Sequence, residues 1–171
     1  AVALAANPSV PVVEGTQFVL RDDAGNARAK WYVAQGSPRL AFADAQGKAR
    51  LLVALEQDTP MVSLANDAGV VQMQLSLERF GPAIYLRDAA GAVRSSQTVV
   101  AADAEAHQGP RLEFYDAAGR GVLGLRASGV GDVSIGVGGE GGRNEAVMTS
   151  RPAGARIHLT DRDGKVVFER P

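Results

Sequence analysis

Residues 40–55 read LAFADAQGKARLLVAL and contain the pattern from which nearly the whole chain is built. Apolar residues alternate with other residues on both sides of an Asp-x-x-Gly segment, with Leu40 and Phe42 before it and Leu51 and Val53 after it. Period-two alternation on each side of a turn signal indicates two β-strands that each present one apolar face. The segment therefore predicts a β-hairpin.

This pattern recurs about every 22 residues. The turn glycines at 25, 47, 69 and 91 are 22 residues apart, the next gap is 28, and the last gap of 45 contains a degenerate copy. A fixed period of this length indicates one supersecondary unit that is repeated along the chain. The predicted turn glycines are Gly25, Gly47, Gly69, Gly91, Gly119, Gly142 and Gly164.

The register of each unit predicts its turn. An even number of loop residues keeps the apolar positions of both strands on one face, whereas a three-residue loop would place them on opposite faces. We therefore expect a four-residue Asp-x-x-Gly loop whose glycine is left-handed. Arg28, Arg50 and Arg94 share the third position after the glycine, on the other face. Solubility and cross-strand pairing explain such a stripe more often than anion binding does.

Seven hairpins predict an all-β protein of about fourteen strands. The 22-residue hairpin repeats could close into a shallow barrel or flower-like ring, which removes edge strands. The alternative is a β-solenoid with parallel stacking, and continuous parity through a hairpin turn favours the ring. We expect one hairpin-repeat domain over residues 16–171. Residues 1–15 are expected to be a leader or linker, which is either a frayed terminus or the tail end of a signal or membrane-anchor segment.

Three of the repeats also carry a family resemblance. Residues 18–28, 40–50 and 84–94 read FVLRDDAGNAR, LAFADAQGKAR and IYLRDAAGAVR. This Asp-x-x-Gly-x-x-Arg repeat resembles that of the β-flower proteins, bacterial hairpin-repeat chains, over roughly residues 16–171. The resemblance implies a shallow barrel of hairpin petals around an apolar centre, related to tubby-type lipid-binding folds and often behind an N-terminal membrane anchor. It implies no catalytic residues. The chain departs from the motif at Val122, Gly142 and Val167.

Composition excludes several functional classes. The 171-residue chain is 46% hydrophobic, has a formal net charge of -1 and contains no cysteine. Disulfides and thiolate metal sites are therefore excluded, and no basic excess indicates nucleic-acid binding. Abundant alanine and glycine, with arginine preferred to lysine, suggest a bacterial protein. Together with the resemblance, this predicts a location in the bacterial cell envelope, periplasmic or at the outer surface.

Candidate catalytic and metal-binding motifs are weak. Asp103, Glu105 and His107 lie in the insertion that lengthens one repeat, where a solvated histidine is commoner than a metal site. Residues 136–141 read GVGGEG and match the dinucleotide fingerprint by letter. That motif needs a following helix, and the repeat register predicts a strand instead. We expect no catalytic residues, no metal and no cofactor, so the chain is not expected to be an enzyme.

The apolar strand positions are the remaining candidate site. They would converge on a central cavity or a packed core if the ring closed, and apolar cavities are common ligand sites. The function predicted is a non-enzymatic envelope binding module for lipid-like or other apolar molecules, or for membrane association through an N-terminal segment. The alternative is a structural or adhesive repeat scaffold without a small-molecule ligand. The predicted ligand-binding residues are Phe18, Trp31, Phe42, Leu51, Met73, Leu75, Phe114, Leu123, Met148 and Phe168.

Overall fold

The computed structural model describes residues 13–100, 109–128, 131–138, 144–161 and 163–171. Within these ranges the chain forms fourteen β-strands and no helix. The strands are β1 (Gln17–Arg21), β2 (Ala27–Ala34), β3 (Ser37–Ala43), β4 (Ala49–Glu56), β5 (Thr59–Ala65), β6 (Val71–Glu78), β7 (Gly81–Arg87), β8 (Val93–Val100), β9 (Gly109–Tyr115), β10 (Gly121–Ala127), β11 (Val133–Gly138), β12 (Asn144–Arg151), β13 (Gly154–Thr160) and β14 (Val166–Arg170).

All fourteen strands belong to one sheet, in which the order of the strands is their order in the chain. Each strand pairs antiparallel with its neighbours in sequence, which confirms the all-β, antiparallel hairpin prediction. The parallel stacking of the solenoid alternative is wrong for the described strands. The sheet is open, with β1 and β14 at its two ends, so the closed barrel or ring is not observed.

The Asp-x-x-Gly segments form the turns of the hairpins. In the second repeat, the Gly47 amide donates to the Asp44 carbonyl at 3.0 Å, and the Asp44 amide donates to the Lys48 carbonyl at 2.9 Å. Asp44 Oδ1 accepts hydrogen bonds from the amides of Gln46 and Lys48, both at 3.0 Å. Gly47 has a φ of 78°, a left-handed conformation that glycine adopts without steric cost. Gly25, Gly69, Gly91, Gly119 and Gly164 share this conformation, and Gly142 lies outside the described residues.

The apolar positions keep the predicted register, but a three-residue loop followed by a β-bulge takes the place of the predicted four-residue loop. Asp44 and Lys48 close the hairpin, so the loop has three residues. Beyond it, Phe42 faces Leu51 and Ala43 faces Ala49, which leaves Arg50 as an unpaired β-bulge residue. Three loop residues and one bulged residue give the same parity as four loop residues, so the apolar positions still share a face. The same shift occurs in every hairpin of the sheet.

The two faces of the sheet differ in composition. Residues that face each other across neighbouring strands lie on the same face. The apolar face carries Leu40, Val53, Val62, Leu75 and Ile84, which face one another in succession from β3 to β7. The polar face carries the intervening residues, among them arginine, glutamate, serine, tyrosine and alanine side chains.

Burial of the two faces is the reverse of the prediction. The buried residues among those described are Ala54, Ala83, Ser63, Ser76 and Ser96, and all five belong to the polar face. Of the 25 described large hydrophobic residues that are exposed, all but Val13, Phe80, Val166 and Val167 belong to the apolar face. The expected apolar centre is therefore an exposed surface, because no described part of the chain forms a second layer over the sheet.

Candidate functional site

The apolar face carries most of the exposed large hydrophobic residues of the described chain. Its side chains meet directly across the strands, as in the pairs Leu51 with Leu64 and Met73 with Leu86. A sheet that is apolar on one face normally covers that face with another layer. Here no described part of the chain supplies that layer, since every described strand belongs to the same sheet.

All ten residues of the predicted ligand site lie on the apolar face, and the register brings several of them together. Phe18 faces Trp31, Phe42 faces Leu51 and Phe114 faces Leu123. The Phe18 and Trp31 rings are in contact, with centroids 6.2 Å apart. The site residues follow one another along the sheet and do not converge on a centre. Those that are exposed are Phe18, Trp31, Phe42, Leu75, Phe114, Met148 and Phe168, and those that are half-buried are Leu51, Met73 and Leu123.

A groove of about 640 Å³ lies on this face at the end of the strands where the shorter turns are. Its lining is almost entirely apolar and includes Trp31, Leu55 and Leu77. The sequence prediction did not include three prolines that line it, Pro38, Pro60 and Pro82. Their signal was present, because each proline occupies the same position in its repeat, two residues before the first apolar-face residue of the strand, and so continues that face.

Strand β8 interrupts the apolar face. Ser95 and Gln97 face Leu86 and Ile84 on one side, and they face Phe114 and Leu112 on the other. These two polar residues lie between an apolar patch on β1–β7 and a second patch on β9–β14, and on β8 the two patches are joined only at the end of the strand, where Val99 faces Pro110. The groove lies wholly within the first patch.

On the polar face, the bulged arginines link successive hairpins. Arg50 Nε donates to the carbonyl of Ala65 in the next hairpin at 2.8 Å, and Arg50 Nη1 lies 3.3 Å from Asp44 Oδ2 in its own turn. Arg28 repeats this arrangement one hairpin earlier, where its Nε donates to the Ala43 carbonyl at 3.3 Å. Arg94 likewise contacts Asp88 in its own turn and the Asp116 carbonyl in the next hairpin. The arginine stripe thus has a structural role that needs no anionic ligand.

A second polar cluster joins β8, β9 and β10. Tyr115 donates to Glu113 Oε2 at 2.8 Å, and Arg126 donates to Glu113 Oε1 at 2.6 Å. The Ser96 and Tyr115 hydroxyls are 3.1 Å apart. Burial raises the pKa of Glu113, but hydrogen bonds from Tyr115 and Arg126 outweigh it, so the pKa is lowered. Burial also raises the pKa of Tyr115. These polar groups are satisfied by one another, an arrangement that stabilises the sheet.

A recess of about 310 Å³ adjoins this cluster, where Gly124 and Gly136 face each other across β10 and β11. Glycine leaves the sheet surface without side chains there, which accounts for the recess. Sequence reasoning did not find the polar cluster of Ser96, Glu113, Tyr115 and Arg126, because these residues come together only through the pairing of three strands.

The candidate catalytic and metal-binding motifs gain no support. Asp103, Glu105 and His107 lie outside the described residues. Within the described ranges, no three His, Cys, Asp or Glu side chains come together as a metal site. Of the fingerprint at 136–141, residues 136–138 end β11, and β12 follows as the predicted strand. None of the described segments is a helix that could cross a membrane.

The chain matches no protein-family model, and no curated protein matches its sequence. The β-flower resemblance and the bacterial envelope location therefore stay predictions that rest on the short repeat motif and on composition.

Proposed function

We propose that the chain is a non-enzymatic binding module that uses the apolar face to hold lipid-like molecules or to associate with a membrane surface. The observation that carries this proposal is the concentration of exposed large hydrophobic residues on one face of the sheet. Monomeric soluble proteins rarely expose apolar patches larger than a few hundred Å², and larger patches mark interaction sites.

The chemistry of the patch on β1–β7 supports an apolar occupant. A hydrocarbon chain requires contact area and no hydrogen-bond partner, and the groove on this patch offers an apolar lining. Trp31, at 62% exposure, lies along this groove. Full burial of a large apolar side chain contributes about 1.5–3 kcal/mol, so covering the exposed half of each would contribute about 1 kcal/mol. Several such residues would hold a lipid-like ligand.

The test compares two substitutions that introduce the same charge on opposite faces. Leu77, 55% exposed, lies on the apolar face and lines the groove, whereas Val167, 61% exposed, belongs to the bulge on the other face. We expect the unaltered protein to float with neutral phosphatidylcholine vesicles in a density gradient. Leu77→Asp should reduce the bound fraction about tenfold, and Val167→Asp should leave it unchanged.

Extraction of the gently purified protein with organic solvent gives a second readout. Mass spectrometry should detect a lipid or other apolar molecule that is enriched over a mock purification. If the unaltered protein neither floats with vesicles nor carries an enriched apolar molecule, the proposal is wrong. Equal loss of flotation in both aspartate variants would also contradict the assignment of the face.

The structural or adhesive scaffold is the second candidate function. The observation that favours it is the open sheet, whose two end strands each have one side that no other described strand pairs with. A scaffold of this kind would be built by contacts at the sheet edges, and it would need no small-molecule ligand.

A further inference from the structure

Each end strand of the described sheet has one edge that no other described strand covers. β1 pairs only with β2, and β14 pairs only with β13 among the described strands. An edge strand presents a row of unpaired amides and carbonyls, which is a template for the addition of another strand.

The turn hydrogen bonds show which backbone groups of β1 face outward. The Asp22 amide donates to the Asn26 carbonyl, so its backbone groups point toward β2. The direction of the backbone amide and carbonyl groups alternates from residue to residue along an antiparallel strand. The backbone groups of Leu20 therefore also point toward β2, and those of Val19 point toward the free edge.

The same reasoning applies to β14. The Asp161 amide donates to the Lys165 carbonyl, so the backbone groups of Asp161 point toward β14. Leu159 lies two residues earlier, and its backbone groups therefore also point toward β14. Leu159 faces Phe168, so the backbone groups of Phe168 point back toward β13. Those of Glu169 consequently point toward the free edge.

A single register rule governs all junctions between consecutive hairpins. The fourth residue after a turn glycine faces the fifth residue before the next turn glycine, as Ala29 faces Phe42 and Leu51 faces Leu64. The other four junctions obey the same rule, with the pairs Met73 and Leu86, Ser95 and Phe114, Leu123 and Val137, and Ala146 and Leu159.

We propose that β14 of one copy of this chain pairs with β1 of a second copy, head to tail, in the register of the internal junctions. The rule then places Phe168 opposite Leu20 and Glu169 opposite Val19. With fourteen strands in alternating directions, β14 runs opposite to β1, so this junction is antiparallel like all the others. A head-to-tail interface of this kind generates rings or filaments.

The side chains on both faces fit this junction. On the apolar face, Phe168 and Leu20 would cover each other, and Leu20 is 66% exposed without such a neighbour. On the polar face, Glu169 would lie diagonally across from Arg21, two residues beyond Val19. Arg39 and Glu56 have this diagonal relation within the sheet, and they form an ion pair at 2.9 Å.

Cysteine pairing tests the register directly, because the chain has no cysteine of its own. The backbone groups of Leu20 and Phe168 both point away from the junction, which makes them a non-hydrogen-bonded pair with Cα atoms about 4.5 Å apart. That distance permits a disulfide. We expect an oxidised mixture of the Leu20→Cys and Phe168→Cys proteins to give a covalent heterodimer.

The off-register control is a mixture of Leu20→Cys with Arg170→Cys. Residue 170 would face Phe18 and lie diagonal to residue 20, at about 7–8 Å, which is beyond disulfide reach. We expect at least tenfold less heterodimer from this mixture. Equal yields from the two mixtures would overturn the proposed register.

Light scattering of the unaltered chain measures the association itself. We expect a mass that rises with concentration above that of one chain. Val19→Pro removes an outward-facing amide without removing a β1–β2 hydrogen bond, so it should abolish the rise, whereas Val19→Thr should not. A concentration-independent monomer would overturn the proposal. A double Leu20→Cys/Phe168→Cys protein that gives only an intrachain disulfide would also overturn it, because the sheet would then close within one copy.

Discussion

The polar face and the apolar face of this sheet have exchanged the roles that such faces usually have. Among the described residues, those with the least solvent exposure are Ala83 at 4% and Ser63 at 5%, and both lie on the polar face. The leucines, valines and phenylalanines of the apolar face are largely exposed. In most globular proteins the large hydrophobic residues are the buried ones. Hydrophobicity therefore identifies one face of a sheet and does not by itself say that another part of the chain covers that face.

The two faces should therefore contribute differently to stability. Facing apolar side chains in a sheet still contribute about 0.2–1 kcal/mol per pair, although they remain in contact with water. The polar face adds hydrogen bonds between hairpins, such as that from Arg50 Nε to the Ala65 carbonyl. We infer that substitutions on the polar face mainly alter folding, while those on the apolar face mainly alter binding.

The largest expected effect is a difference in stability between two variants that each introduce one aspartate, on opposite faces of the neighbouring strands β7 and β6. Ala83→Asp buries a carboxylate on the polar face of β7 and should destabilise the protein by about 3 kcal/mol. Leu77→Asp, on the exposed face of β6, should cost about 1 kcal/mol or less. Urea unfolding of both variants measures the difference. Equal destabilisation would mean that the two faces are equally covered in solution.

The next largest expected effect is the loss of stability when the left-handed glycine of an Asp-x-x-Gly turn is replaced. Gly47→Val places a β-branched residue at a φ of 78° and should cost about 2 kcal/mol in the free energy of unfolding. Gly121→Val is the matched control, because an added Cβ at Gly121 meets open space and its φ is not in the left-handed range. If the control variant lost as much stability in thermal unfolding, left-handed strain would not be the cause.

The arginine link between hairpins should have a smaller effect. Arg50→Ala removes the hydrogen bond to the Ala65 carbonyl and the contact with Asp44, and it should cost about 1 kcal/mol. Lys30→Ala removes an exposed cation from the same face and should change stability by less than about 0.5 kcal/mol. Indistinguishable urea midpoints for the two variants would mean that Arg50 does not stabilise the junction between the hairpins.

The smallest expected effect is a change in acid sensitivity. The Arg94 guanidinium and the amides of Ala92 and Ala90 lower the pKa of Asp88. A lowered carboxyl pKa contributes stability that is present above its unfolded value, about 4, and is lost as the pH falls through the folded value. Asp88→Asn keeps a turn acceptor, as Asn66 does in the third repeat, and cannot titrate. In urea unfolding, the stability of this variant should fall less than that of the unaltered protein as the pH is lowered from about 5 to about 2.

The local structure could be predicted because each repeat contains both the strand pattern and the turn motif of its own hairpin. Alternation located the strands, and the Asp-x-x-Gly repeats located the left-handed glycines, of which Gly47 is typical. The ten candidate site residues were correctly assigned to one face because parity fixes which side chains are neighbours. Their role in ligand binding stays a prediction.

The features that were predicted wrongly depend on information beyond one repeat. Parity alone cannot distinguish a four-residue loop from a three-residue loop followed by a bulge at Arg50, because both add the same number of residues. Nor does alternation say whether a second layer covers the apolar side, which is why Trp31 was expected at a centre and is 62% exposed. The cluster of Ser96, Glu113 and Tyr115 required the pairing of strands from different hairpins.

Because every described strand pairs only with its sequence neighbours, the strand pairing of the described sheet includes no distant contact that fixes the number of hairpins. Stability in such a chain is approximately a sum of the stabilities of the units and of the interfaces between neighbours. Folding can then begin at any hairpin and spread along the chain in both directions. Gain or loss of a whole hairpin would change the length of the exposed apolar surface while leaving the environment of most remaining units intact, which gives this architecture a simple route to evolve longer or shorter sheets.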